Sequence, residues 1–120
     1  MTAFHRLITK YRHRGDNLVS VTLDNEGEKV ATFDEGCWDF LMRLGLSPTL
    51  SIGHHGYVRS PQYQAPGDQV SVARVLLDAG EGESIHYKDG DRLNLRRDNL
   101  SIKPGPAKNR DRLYLKAKAA

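Results

Sequence analysis

The sequence predicts an α+β fold of small antiparallel strands and short helices, and three observations carry that expectation. Leu18-Val19-Ser20-Val21-Thr22-Leu23 has the β-branched content and alternation of a strand and is followed by the turn cluster Asp24-Asn25-Glu26-Gly27-Glu28. An apolar, helix-spaced stretch lies between Asp34 and Gly45. In the C-terminal half the order is strand, polar loop, strand and then a run of strong helix formers. With 120 residues, a single domain over 1–120 is expected: a basic arm at 1–16, a hairpin, helix and lead-in at 17–83, and a final unit at 84–120.

Lys29 to Phe33 reads as the returning strand of the first hairpin. Asp34 then serves as cap for a helix that buries Trp38, Leu41 and Met42, with Cys37 beside them, and Gly45 ends it. Cys37 and Trp38 are read as core. Leu50 to Gly53 and Gly56 to Arg59 form a second extended pair joined through His54-His55, and Ser60 to Gly67, with its two prolines, is a loop. Val70 to Leu77 has the apolar spacing of a short helix stopped by Asp78-Ala79-Gly80. Ser84 to Tyr87 and Asn99 to Ile102 are extended around a Gly-Asp turn, Lys103-Pro104-Gly105-Pro106 breaks the chain, and a helix follows from Ala107.

Composition narrows the function classes. No apolar run approaches the ~20 residues of a membrane helix, so no membrane association is expected. MTAFHRLITKYRHR lacks an apolar core before a small-residue cleavage site, which predicts no secretory signal. One cysteine, Cys37, makes no internal disulfide and no paired-cysteine zinc site, so a cytoplasmic location is expected, nucleoid-associated if the partner is DNA. The formal charge of +3 is distributed unevenly. Residues 1–14 hold four basic side chains and no acidic ones, residues 15–85 four basic and eleven acidic, and residues 86–120 ten basic and four acidic. Basic ends around an acidic middle suit a polyanion partner, with nucleic acid the first candidate. The opposite signs of middle and ends also suit a homodimer.

Chemistry concentrates in Ile85-His86-Tyr87-Lys88-Asp89-Gly90-Asp91-Arg92-Leu93-Asn94-Leu95-Arg96-Arg97-Asp98-Asn99-Leu100. His86, Asp89, Gly90, Asp91, Arg96, Asn99 and Leu100 match a motif, so this stretch resembles the HNH endonucleases, the ββα-metal nucleases of phages and mobile elements. The resemblance extends over roughly residues 17–110. It implies a strand-loop-strand-helix unit in the C-terminal half that lies along duplex DNA. It also implies a divalent metal held at the His86 position and early in the following helix, where Asn109 falls.

The sequence departs from that family at the residue that would deprotonate water, where Tyr87 stands in place of histidine. A phenol ionises near pH 10, and a tyrosinate base at neutral pH would need roughly 4 kcal/mol of differential stabilisation. The expectation is therefore a nucleic-acid-binding protein, mainly for double-stranded DNA, on a catalytically degenerate HNH-like frame, with no catalytic residue and no cofactor. It would serve as a plasmid- or phage-type accessory or nucleoid-like protein. Asn99 holds the loop by side-chain to backbone bonds. Binding is assigned to Lys88, Arg92, Arg96 and Arg97, which project from the loop, and to Lys108, Arg112 and Lys116 at helical spacing with Arg110 and Lys118 beside them. The alternative is a metal-dependent endonuclease with a non-standard base, its catalytic positions Tyr87, His86 and Asn99 or its base supplied by His54 or His55. In that case a divalent ion is the cofactor and His86 and Asn109 are the ligand candidates.

Overall fold

A computed structural model of the chain describes residues 7–24, 28–53, 56–61 and 69–105. Three antiparallel strands open the fold: β1 (Ile8–His13), β2 (Asp16–Thr22) and β3 (Val30–Asp34), in spatial order β1-β2-β3. Helix α1 (Glu35–Leu44) follows, then a second antiparallel sheet of β4 (Ser51–Ile52), β5 (Val58–Pro61) and β6 (Gln69–Ser71). Helix α2 (Val72–Leu77) leads into the antiparallel pair β7 (Glu83–Tyr87) and β8 (Leu100–Pro104). The architecture is α+β, as the sequence predicts. No described helix is long and apolar enough to cross a membrane.

The core follows from strand alternation. Val19 and Val21 on β2 stand opposite Phe33 and Ala31 on β3, and all four are buried on the face that meets α1. Trp38 and Leu41 of α1 pack into that face, with the Trp38 ring 5.3 Å from that of Phe33. Met42 and Cys37, expected beside them, are only half-buried. Gly45 ends α1 at φ 90°, a left-handed residue whose N–H donates to Leu41 and Met42 carbonyls, and glycine adopts that conformation without a Cβ penalty. Asp34 occupies the capping position of α1, but its carboxylate makes no cap hydrogen bond and is used elsewhere, as described below.

Two expectations are corrected. Residues 8–13 are not an arm: they form β1, paired along their full length with β2, although all six side chains remain exposed. Ile8, Thr9 and Tyr11 supply the β-propensity, and Arg14-Gly15 supplies a two-residue turn with φ 51° and 85°. Positive φ at both turn positions matches the right-handed twist of the strands. The helix expected from Val70 begins at Val72 instead, because residues 69–71 pair with β5 as a third strand. The C-terminal helix expected from Ala107 lies outside the described residues, as do His54 and His55.

Arginine at the first position of such a turn is strained, since asparagine or glycine is preferred there. Arg14→Asn should therefore raise unfolding stability by about 0.5–1 kcal/mol, measured by urea titration of Trp38 emission. On the functional reading given below, the same substitution weakens polyanion binding.

Candidate nucleic-acid interface

Residues 88–99 join β7 to β8 and are held by their own side chains. The Asp91 N–H donates to Asp89 Oδ1 at 2.8 Å, and Asn94 Nδ2 donates to Asp89 Oδ2 at 2.9 Å. The Leu93 N–H donates to Asp91 Oδ1 at 2.9 Å. These contacts, Asn94 first, hold the Asp89 carboxyl below the usual carboxylate range. Gly90, at φ 78°, lets the turn close by donating to the Tyr87 carbonyl. Asn99 is 8% exposed and closes the loop from its far end. Its Oδ1 accepts from the Asp89 N–H and its Nδ2 donates to the Asn94 carbonyl, both at 3.0 Å. Its side chain thus substitutes for backbone partners, the role read for it from sequence.

The loop is also welded to the first sheet. Thr32 N donates to the Leu93 carbonyl at 2.9 Å and Leu95 N donates to the Thr32 carbonyl at 2.8 Å, a parallel bridge that covers the outer edge of β3. Leu95 then plunges into the core with 0% exposure.

Arg96 does not project from the loop as expected. Its Nη2 lies 2.8 Å from Asp16 Oδ2 and its Nε 3.4 Å from Asp34 Oδ1, so one guanidinium ties the β1–β2 turn to the start of α1. The Arg97 N–H takes the other Asp34 oxygen at 2.8 Å. That is where the Asp34 carboxylate is spent, and why it leaves the helix uncapped. Arg97 is exposed, with Nη1 donating to the Leu100 carbonyl at 3.3 Å. Arg92 lies over the Tyr57 ring, its guanidinium carbon 4.5 Å from the centroid. Lys88 is exposed. Lys108, Asn109, Arg110, Arg112 and Lys116 fall outside the described residues.

The Arg96 clamp brings together basic side chains that sequence alone keeps apart. Asp16 closes the β1–β2 turn opposite His13, so Arg14 in that turn and Arg97, the residue after Arg96, lie beside the clamp along the chain, while Arg12, paired with Asn17, stands on the other face at the same end of the sheet. Arg12 and Arg14 are exposed. Lys10, one alternation back from Arg12, reaches Glu35 at 3.5 Å across a solvated gap. Arg12 and Arg14 were missed as individual candidates because the arm was not read as a strand; the β-formers Ile8, Thr9 and Tyr11 ahead of the turn pair Arg14-Gly15 were the available signal.

His86 and Tyr87 are adjacent on β7 and face opposite ways. His86 is exposed, opposite Ser101, whereas Tyr87 is 8% exposed, opposite Leu100 and stacked on Tyr57 with centroids 6.1 Å apart. Burial, with the Tyr57 ring adding to it and Arg92 opposing, pushes the Tyr87 phenol up to about 12. A tyrosinate base needs the opposite displacement. Because the folded pKa lies above the ordinary value of 10, this group's contribution to stability is complete below pH 10 and is lost as pH rises toward 12. An ultraviolet titration of phenolate absorbance should find one tyrosine ionising near pH 12, and Tyr87→Phe should remove that step.

Among the described residues no three of histidine, cysteine, aspartate and glutamate come together as a metal-binding group. No protein-family model matches the chain, and no curated protein and no solved structure is significantly similar to it.

Proposed function

We propose that this chain is a nucleic-acid-binding protein, mainly for double-stranded DNA, that grips phosphates and does not cut. The observation that carries the reading is the clamp at Arg96, which holds the β1–β2 turn against the 88–99 loop and so sets Arg12, Arg14 and Arg97 at one end of the first sheet. Guanidinium groups on a rigid turn and a pinned loop suit phosphate contacts, which position a protein on duplex without reading its sequence. Lys88 and Arg92 extend the basic surface along the loop, and the same reading counts Lys108, Arg110, Arg112 and Lys116, outside the described residues, among the phosphate-binding side chains.

The HNH-like assignment is supported by the strand, loop and strand of β7, 88–99 and β8, and by Asn99 tethering that loop. Catalysis is not supported. Tyr87 is buried with its phenol raised, and Asp89, the motif carboxylate, spends both oxygens on loop N–H groups. His86 is the one described residue at a family ligand position, and the described donors do not complete a metal set. A binding protein without cutting is the simpler account of a loop whose Asp89, Asp91, Asn94 and Asn99 side chains are spent on holding the loop itself.

Incubating supercoiled plasmid with the protein and Mg²⁺, Mn²⁺, Ni²⁺ or Zn²⁺ in turn should give retarded but intact DNA. Metal-dependent nicking that His86→Ala abolishes would restore the endonuclease reading. Tyr87→His should still leave the plasmid uncut, because more than the base is missing.

A further inference from the structure

The end of the first sheet, where β1 turns into β2, is exposed without interruption from Arg12 to Asn17. Strand alternation spreads its cations across the thickness of the sheet. Arg12 pairs with Asn17, which alternates with the buried Val19, so Arg12 stands on the face that meets α1. Asp16 lies on the opposite face with Leu18 and Asp34, and Arg97 is anchored there by its N–H bond to Asp34. Arg14 occupies the turn between the two faces.

Arg14 is the informative residue. At φ 51° it holds a left-handed conformation that glycine or asparagine adopts more readily. Its side chain is exposed, so packing does not account for arginine in a place the backbone disfavours. A disfavoured backbone kept by an exposed residue points to use of the side chain.

The clamp also restricts how this hairpin meets a duplex. A two-stranded ribbon fits the major groove, about 12 Å wide, where both of its faces are free. Here Arg96 Nη2 lies 2.8 Å from Asp16 Oδ2, so the 88–99 loop backs one face up to the last pair before the turn. Beyond that pair only Arg14 and Gly15 remain, and a Cβ at Gly15 would meet nothing within 4 Å. One arginine side chain with a glycine beside it is narrow enough for the minor groove, about 6 Å wide. Arg12 on one face and Arg97 on the other then supply a cation for each of the two phosphate strands that border the groove. Negative potential in that groove is strongest over runs of A·T pairs, where it narrows.

We propose that Arg14 enters the minor groove of duplex DNA, with Arg12 and Arg97 on the bordering phosphates, and that the protein therefore prefers A·T-rich duplex. This contact rests on the nucleic-acid reading and adds a groove and a preferred duplex to it.

Fluorescence polarisation at one low salt concentration, with three duplexes of equal length, tests the assignment: one rich in A·T, one rich in G·C, and the latter with inosine in place of guanine. Inosine keeps the major-groove pattern of guanine and lacks its minor-groove amino group, so it separates the two grooves. The A·T and inosine duplexes should bind at least about fivefold more tightly than the G·C duplex. Arg14→Asn should remain folded by urea titration of Trp38 emission and bring the three affinities within about twofold of one another. Arg97→Gln should weaken all three and leave their ratio unchanged. An inosine duplex that binds like the G·C duplex would overturn the proposal in favour of the major groove. Equal binding of all three by the wild type, or a preference that Arg14→Asn leaves intact, would overturn the groove contact and leave phosphate binding in place. Failure to bind any duplex would overturn the nucleic-acid reading with it.

Discussion

Leu95→Ala should destabilise the protein by about 2–5 kcal/mol, a large part of the 5–15 kcal/mol that holds a typical domain together. Leu95 lies in a connecting loop, where most residues are solvated, yet it is 0% exposed and belongs to the main core. Removing its side chain leaves a cavity beneath the point where the loop pairs with Thr32. Hydrogen exchange should then quicken at the Leu95 and Thr32 amides beyond the global change, because those two bonds tie the loop to β3. Leu93→Ala, two residues earlier and only half-buried, should cost distinctly less. Equal, small losses from both substitutions would mean that the loop is not anchored through the core.

That anchoring explains how a long polar connection becomes a surface. Asp89, Asp91, Asn94 and Asn99 satisfy the loop's own backbone, Leu95 sinks its middle, and Arg96 binds the β1–β2 turn to it. Little of the loop is left to move, so Arg97 starts from a fixed main chain. Preorganised cations lose less entropy on meeting phosphates than cations on a free tail.

Much of this was legible in the sequence. The alternation of Leu18 to Leu23, the Asp34-to-Gly45 bracket and the Ser84–Tyr87 and Asn99–Ile102 pair each follow from local propensity and turn chemistry, and each lies within a few residues of its element in the structure. Asn99's tethering role was legible too, since a short amide side chain in a polar loop finds backbone partners. Strand β1 was hidden because its exposed residues carry no buried face to mark a period, and its charges read as a tail. The 69–71 strand was hidden because Val70 to Leu77 is apolar enough for either state, and pairing with β5 decides it. Arg96 is a different failure. Its partners Asp16 and Asp34 are 80 and 62 residues away in sequence, and no local pattern distinguishes an arginine clamped by two distant carboxylates from one offered to a phosphate.

The distinction between clamped and offered arginines has a measurable consequence. Arg96→Gln should act mainly on stability, since its guanidinium already holds two carboxylates, and urea unfolding should report the loss. Arg12→Gln, Arg14→Gln and Arg97→Gln should leave stability nearly unchanged and act on binding. Phosphate contacts release condensed counterions, so the logarithm of the binding constant falls linearly with the logarithm of salt concentration, by roughly one unit of slope per contact.

The direct measurement is fluorescence polarisation of a labelled DNA duplex titrated with the full chain across a series of salt concentrations. The wild type should bind at low salt with a steep slope, and the Arg12/Arg14/Arg97→Gln triple variant should bind more weakly with a slope flatter by about two to three units. Absence of duplex binding by the folded wild type at low salt, or a triple variant indistinguishable from it, would contradict the account.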